Sequence, residues 1–168
     1  APGVAGATIS GGGFDTSENS VTDDYGTIGG GANNVAGDGL GTPSDRRFAT
    51  VGGGSSNTAS ALQSTVGGGN VNTASALQST VGGGVGNTAS AFGSTVAGGS
   101  NNTASGNLGA VGGGVENTAS GSFGAVGGGS SNCAGGRFSW AGGFRAKVRP
   151  GSQSGGDGFG CSGVSRVG

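Results

Sequence analysis

The chain has 168 residues, of which 46 are glycine, with seven basic side chains, eight acidic ones, no histidine and a net charge of -1. So little charge excludes a polybasic surface for nucleic acid, and the missing histidine removes the side chain on which most acid–base and nucleophilic schemes depend. Glycine does not recur at every third position, so a collagen triple helix is excluded, and Gly triplets throughout exclude long helices.

The chain opens on Ala1-Pro2-Gly3-Val4-Ala5-Gly6, a small-residue lead without an initiator methionine, which reads as a mature end after removal of a signal peptide. No apolar run reaches membrane-spanning length, so no membrane insertion is expected, and the expected location is extracellular or at a cell surface. Thr8-Ile9-Ser10-Gly11-Gly12 is a weak first copy of a phrase that returns at Tyr25-Gly26-Thr27-Ile28-Gly29-Gly30-Gly31. Residues 13 to 24 and Gly37 to Arg47 interrupt these early copies, and insertions of this kind emerge as surface loops. Their acids Asp15, Glu18, Asp23 and Asp24 match no EF-hand spacing and read as solvated surface groups, so no metal is expected.

From Thr50 the phrase becomes regular. Val51, Val66, Val81, Val96, Val111 and Val126 recur every 15 residues, as do Asn57, Asn72, Asn87, Asn102, Asn117 and Asn132, and Ala59, Ala74, Ala89, Ala104, Ala119 and Ala134. A period of this length is the signature of a repeat architecture in which identical units stack. Each period splits into two near-halves, one centred on Val and one on Ala. The expected fold is therefore all-β: a parallel β-solenoid of about nine coils, two short strands per coil, stacked at ~4.8 Å into a rod on the order of 40 Å long. Identical residues then lie on identical residues, and the asparagines can form an amide ladder. Three regions follow: residues 1–49, N-terminal coils with two insertions; 50–134, the regular solenoid; and 135–168, a basic, Gly-rich cap with cysteine.

Three further columns bear on function. Large apolar residues occur at Leu62, Leu77 and Phe92, then one position later at Leu108, Phe123 and Phe138, as also at Tyr25 and Phe48. They either plug the roll or face another chain. The second is expected, because one Val and one Ala per coil are scant core for so glycine-rich a chain. A hydroxyl array runs through Thr58, Ser60, Thr73, Ser75, Thr88, Ser90, Thr103, Ser105, Thr118 and Ser120, with the alanines between them turned inward. The opposite half-coil offers Thr65, Thr80 and Thr95. Charge is polar along the chain, with Asp15, Glu18, Asp23 and Asp24 near one end and Arg145, Lys147 and Arg149 near the other, a candidate end-to-end contact.

Cys133 takes a position otherwise held by Thr, and Cys161 lies in the Gly-rich tail; a disulfide between them would pin the tail across the last coil. Two cysteines without histidine do not make a structural zinc site. Trp140 and Phe144 are expected to plug the end of the roll. No catalytic constellation and no cofactor motif is present, so an enzyme is not expected.

The half-repeats Ser64-Thr65-Val66-Gly67-Gly68 and Asn102-Thr103-Ala104-Ser105-Gly106 resemble the head repeats of YadA-like trimeric autotransporter adhesins, over roughly residues 7 to 146. The step is one residue longer than that family's usual one. The resemblance implies a left-handed parallel β-roll, a side-by-side homotrimer, and a place on a bacterial surface binding a host or matrix receptor. A fibre or filament subunit joined end to end is the first alternative. The Asn-Thr-x-Ser-Gly rhythm also resembles grass antifreeze repeats, and ice-binding β-solenoids present similar hydroxyl arrays, which makes an ice-binding solenoid the second.

Overall fold

A computed structural model describes residues 3–149. Among them every regular element is a short parallel strand. Eighteen strands, from Thr8–Ile9 to Lys147–Val148, form two nine-stranded sheets, with successive strands alternating between the sheets. The chain is a β-solenoid whose central coils follow one another every 15 residues, Thr65 lying beside Thr80 and Thr95 in one sheet and Thr73 beside Thr88 and Thr103 in the other. A third, narrower line of parallel bridges joins Ala32, Ser55, Asn70, Val85, Ser100, Val115 and Ser130 at the glycine corner.

Two-residue strands alternate outside and inside: Thr is half-buried and the following Val or Ala is fully buried. The core is accordingly a stack of Ile28, Val51, Val66, Val81, Val96, Val111, Val126 and Ala141 from one sheet against Ala36, Ala59, Ala74, Ala89, Ala104, Ala119 and Ala134 from the other. Such small side chains leave no room for anything else. The glycine corner is closed by asparagine. Each ladder amide Nδ2 donates to the Oδ1 of the previous asparagine, to a glycine carbonyl of its own coil and to one of the next coil; for Asn87 these are Asn72 at 3.2 Å, Gly83 at 2.9 Å and Gly99 at 2.9 Å. Asn34, Asn57, Asn72, Asn87, Asn102 and Asn117 are wholly buried, so the ladder is an internal polar spine. At the opposite corner Ser64 is buried too, its Oγ donating to the Ala61 carbonyl and accepting the Ala61 N–H.

The ladder asparagines do not themselves carry the left-handed turn of the glycine corner. The residue before each one does: Asn33, Ser56, Val71, Gly86, Asn101, Glu116 and Ser131 all have φ between 55° and 67°. One glycine follows directly from the spine. Gly84 has φ +94°, and a Cβ there would strike the Gly99 backbone and the Asn87 amide.

The first coil spans 19 residues from Thr8 to Thr27 and the second 23 from Thr27 to Thr50. In the first, the extra residues precede Ser20, and Ser20 through Gly26 follow the regular course, contrary to an insertion running to residue 24. In the second they form the loop that occupies 37–47. Both are absorbed at corners without disturbing the register of either sheet.

Trp140 and Phe144 do not plug the roll. They are 67% and 70% exposed, because Trp140 continues the outward Thr column, paired with Ala125, while Ala141 continues the inward Val column. The Trp140 ring lies outside, against Gly127 and Gly142, where the absent side chains make space for it.

Candidate functional site

With the interior filled, recognition falls to the outward columns. On the Val sheet the structure aligns Thr8, Thr27, Thr50, Thr65, Thr80 and Thr95 in register, six threonines where sequence reading recovered three. On the Ala sheet Thr58, Thr73, Thr88, Thr103 and Thr118 are likewise consecutive. Ser60, Ser75, Ser90 and Ser105 stand two residues further on in each coil and are half-buried or exposed, giving a second hydroxyl column beside the first. Ser120 is buried, and Cys133, which ends the Thr column, is buried as well. Cys133 is disulfide-bonded. Its expected partner Cys161 lies outside the described residues.

The large apolar residues occupy the corner between the two sheets and point away from the core. Leu77, Phe92, Leu108 and Phe123 are 40–45% exposed and Phe138 66%, with Leu62 half-buried. They do not fill the roll. The backbone explains the one-position shift. Leu108, Phe123 and Phe138 carry the corner's left-handed φ of 55°, 58° and 54°, the position held by Gln63, Gln78 and Gly93 in the coils where Leu62, Leu77 and Phe92 supply the bulk. Leu108 then lies over Gly93, where a Cβ would come within 2.7 Å of its Cδ2, so the stripe passes from one column to the other unbroken. Phe123 and Phe138 stack at 4.8 Å with the Arg137 guanidinium 4.8 Å from the Phe138 ring, and Tyr25 and Phe48 stack at 5.2 Å.

No family model and no curated protein matches this sequence. What the chain can do is therefore read from its surfaces.

The charged ends are unequal. Asp15 and Glu18 are exposed on the first insertion, whereas Asp24 accepts the Ala5 N–H at 2.8 Å. Asp23 is buried, 1% exposed, and unavailable to an end contact: it occupies the inward position held in other coils by Ala61 and Ala91, beneath the 37–47 loop. Burial pushes its carboxyl above the ordinary range, against the pull of the Asp38 N–H. Arg145, Lys147 and Arg149 are exposed on the last coil, with Lys147 in the outward column after Cys133 and Arg145 stacked 4.9 Å from the Phe144 ring. Asp38 and Asp45, unremarked as ligands in the sequence, converge with Asp23. One carboxylate oxygen from each of the three lies within 4.8 Å of the others. Only the register of the sheets, which folds the second insertion back over the first coil, could have brought them to notice.

Proposed function

We propose that this chain is a non-enzymatic, extracellular structural module, the head or shaft of a surface adhesin or fibre, in which rods associate side by side and display hydroxyl faces to a receptor or matrix. The observation that carries the reading is the apolar corner. A core of Val, Ala and Asn columns is complete without it, yet aromatic and leucine side chains follow one another along it from Tyr25 to Phe138, all but Leu62 at least 40% exposed. A contiguous exposed apolar stripe of this kind marks an interface. A repetitive rod suits a repetitive partner, and the partner of matching period is another copy of the same chain. Side-by-side copies then offer each hydroxyl face several times over, so weak individual contacts add through avidity.

The test is the mass in solution by sedimentation velocity. Wild type is expected at three chain masses, and Leu108→Ser with Phe123→Ser at one, with an unchanged β-sheet spectrum. A wild-type monomer, or a variant mass equal to that of wild type, would refute the reading.

A second reading has its own observation. Six threonines in one unbroken column and a Thr-x-Ser array on the opposite sheet form two regular hydroxyl faces, the kind of surface that can order water as ice does. Ice grown in dilute protein would be faceted and arrested on this reading. Ordinary rounded growth would end it.

A further inference from the structure

We propose that the carboxylates of Asp23, Asp38 and Asp45 form a calcium site that fastens the 37–47 insertion to the first coil. The first observation is the convergence itself: three aspartates from two coils bring one oxygen each within 4.8 Å of one another. The second is independent of it. Asp23 is 1% exposed, and its Oδ1 is buried without any hydrogen-bond partner. A carboxylate oxygen removed from water and left bare is a costly arrangement, and a cation is the natural group to face it.

The rest of the local hydrogen bonding defines what is left over for a ligand. Asp23 Oδ2 accepts the Asp38 N–H at 2.9 Å and the Thr22 hydroxyl at 3.3 Å. Asp38 Oδ1 accepts the Leu40 N–H at 2.9 Å, and its Oδ2 pairs with Arg46 Nε at 3.1 Å. With all three carboxylates ionised, as a bound cation would hold them, Arg46 offsets one negative charge and leaves the cluster two short of neutral. That deficit equals the charge of one divalent ion. All the donors are oxygen and the insertion is rich in glycine and turn residues, which favours the larger, geometrically tolerant calcium ion over magnesium or a nitrogen- and sulfur-seeking transition metal. Gly37 and Gly41 keep the approach clear, since a Cβ at Gly37 would strike Asp23 Oδ2 and Thr22 Oγ1, and one at Gly41 would come 2.6 Å from Asp45 Oδ2. Asp45 is exposed, so an ion can reach the site from solvent without opening the roll.

The experiment is calorimetric titration of the chelator-treated full chain with calcium chloride, with a thermal melt of the same samples. One equivalent should bind, with a dissociation constant on the order of 0.1–1 mM as in other extracellular calcium modules. Calcium should raise the melting temperature. Asp45→Asn changes an exposed loop residue, so the solenoid will fold; it should weaken binding at least tenfold and abolish the calcium-dependent shift. Asp15→Asn, on the other insertion, should bind as wild type. Absence of saturable binding, unchanged binding in Asp45→Asn, or an equal loss in Asp15→Asn would overturn the proposal. So would an identical melting shift in sodium chloride of matched ionic strength.

Discussion

Replacing Asn87 with alanine tests whether the buried amide spine holds the coils together. Asn87 Nδ2 donates to Asn72 Oδ1, Gly83 O and Gly99 O, and its Oδ1 accepts the Asn102 N–H at 2.9 Å and the Asn102 amide at 3.1 Å. Not all of these partners are stranded by the change. Gly99 O keeps the Val85 N–H at 3.0 Å, and the Asn102 amide keeps Gly98 and Gly114. The Asn102 N–H loses its acceptor and Gly83 O its side-chain donor. One buried orphan at about 1–3 kcal/mol and one part-buried carbonyl at the low end of that range give an expected loss of about 3 kcal/mol, a large part of the ~5–15 kcal/mol a folded domain has in hand. Asn19 is the matched control: its Oδ1 accepts the Asn34 N–H at 3.0 Å in the same way, but at the half-exposed start of the spine, where water can replace the lost amide. Its alanine variant should lose about 1 kcal/mol. Urea unfolding followed by circular dichroism, at one fixed protein concentration because association would add its own stability, measures both. A loss at Asn87 no greater than at Asn19 would refute the reasoning. Asn87→Asp sharpens the test, since it keeps the acceptor but turns an unprotonated oxygen toward the two glycine carbonyls. Its folded state should favour the protonated acid, so the variant should gain stability as pH falls, opposite to a carboxylate held in an ion pair.

Val71 holds a left-handed φ of 56° while 54% exposed, a poor conformation for a β-branched residue with little packing in return. Val71→Asn, the residue that Asn101 supplies at the same corner, should raise stability by about 1 kcal/mol in the same urea assay. Gly84→Ala should cost about 3 kcal/mol or more, as its Cβ meets the Gly99 backbone at a φ of +94°; a loss below that of an ordinary surface change would contradict the close packing at the glycine corner. For the filament alternative, reversing Arg145, Lys147 and Arg149 to Glu should shorten any threads seen by negative-stain electron microscopy, and unaltered lengths would count against contact through the ends.

The period made the columns legible, and with them the strands, the Val and Ala core and the asparagine ladder. Orientation at corners was a different matter. Leu62 and Leu108 sit one position apart, and alternation along a strand says nothing about a turn in which one residue takes a left-handed φ and re-aims its side chain. Trp140 shows the opposite lapse: its column was readable, since Ala141 stands where Val stands elsewhere, but its bulk drew it inward in expectation. Asn19 escaped because Val21 replaces the usual Ala and the first insertion broke the step, whereas Thr8, Thr27 and Thr50 lay in the recurring phrase and were missed only as part of a hydroxyl column. The Asp23, Asp38 and Asp45 cluster could not be read at all from spacing, because it depends on how a loop returns across a neighbouring coil.

Successive coils in the regular segment repeat the same pairings along their inward columns, Asn on Asn, Val on Val and Ala on Ala. An in-frame duplication or deletion of one period would therefore preserve the register of both sheets and the asparagine spine and change the rod by a single increment of ~4.8 Å. Reach becomes a counted quantity, set by the number of units and adjustable by recombination between near-identical stretches of gene. A lineage could lengthen or shorten the rod one notch at a time while the two unequal ends, with their insertions and their charges, stay as they are.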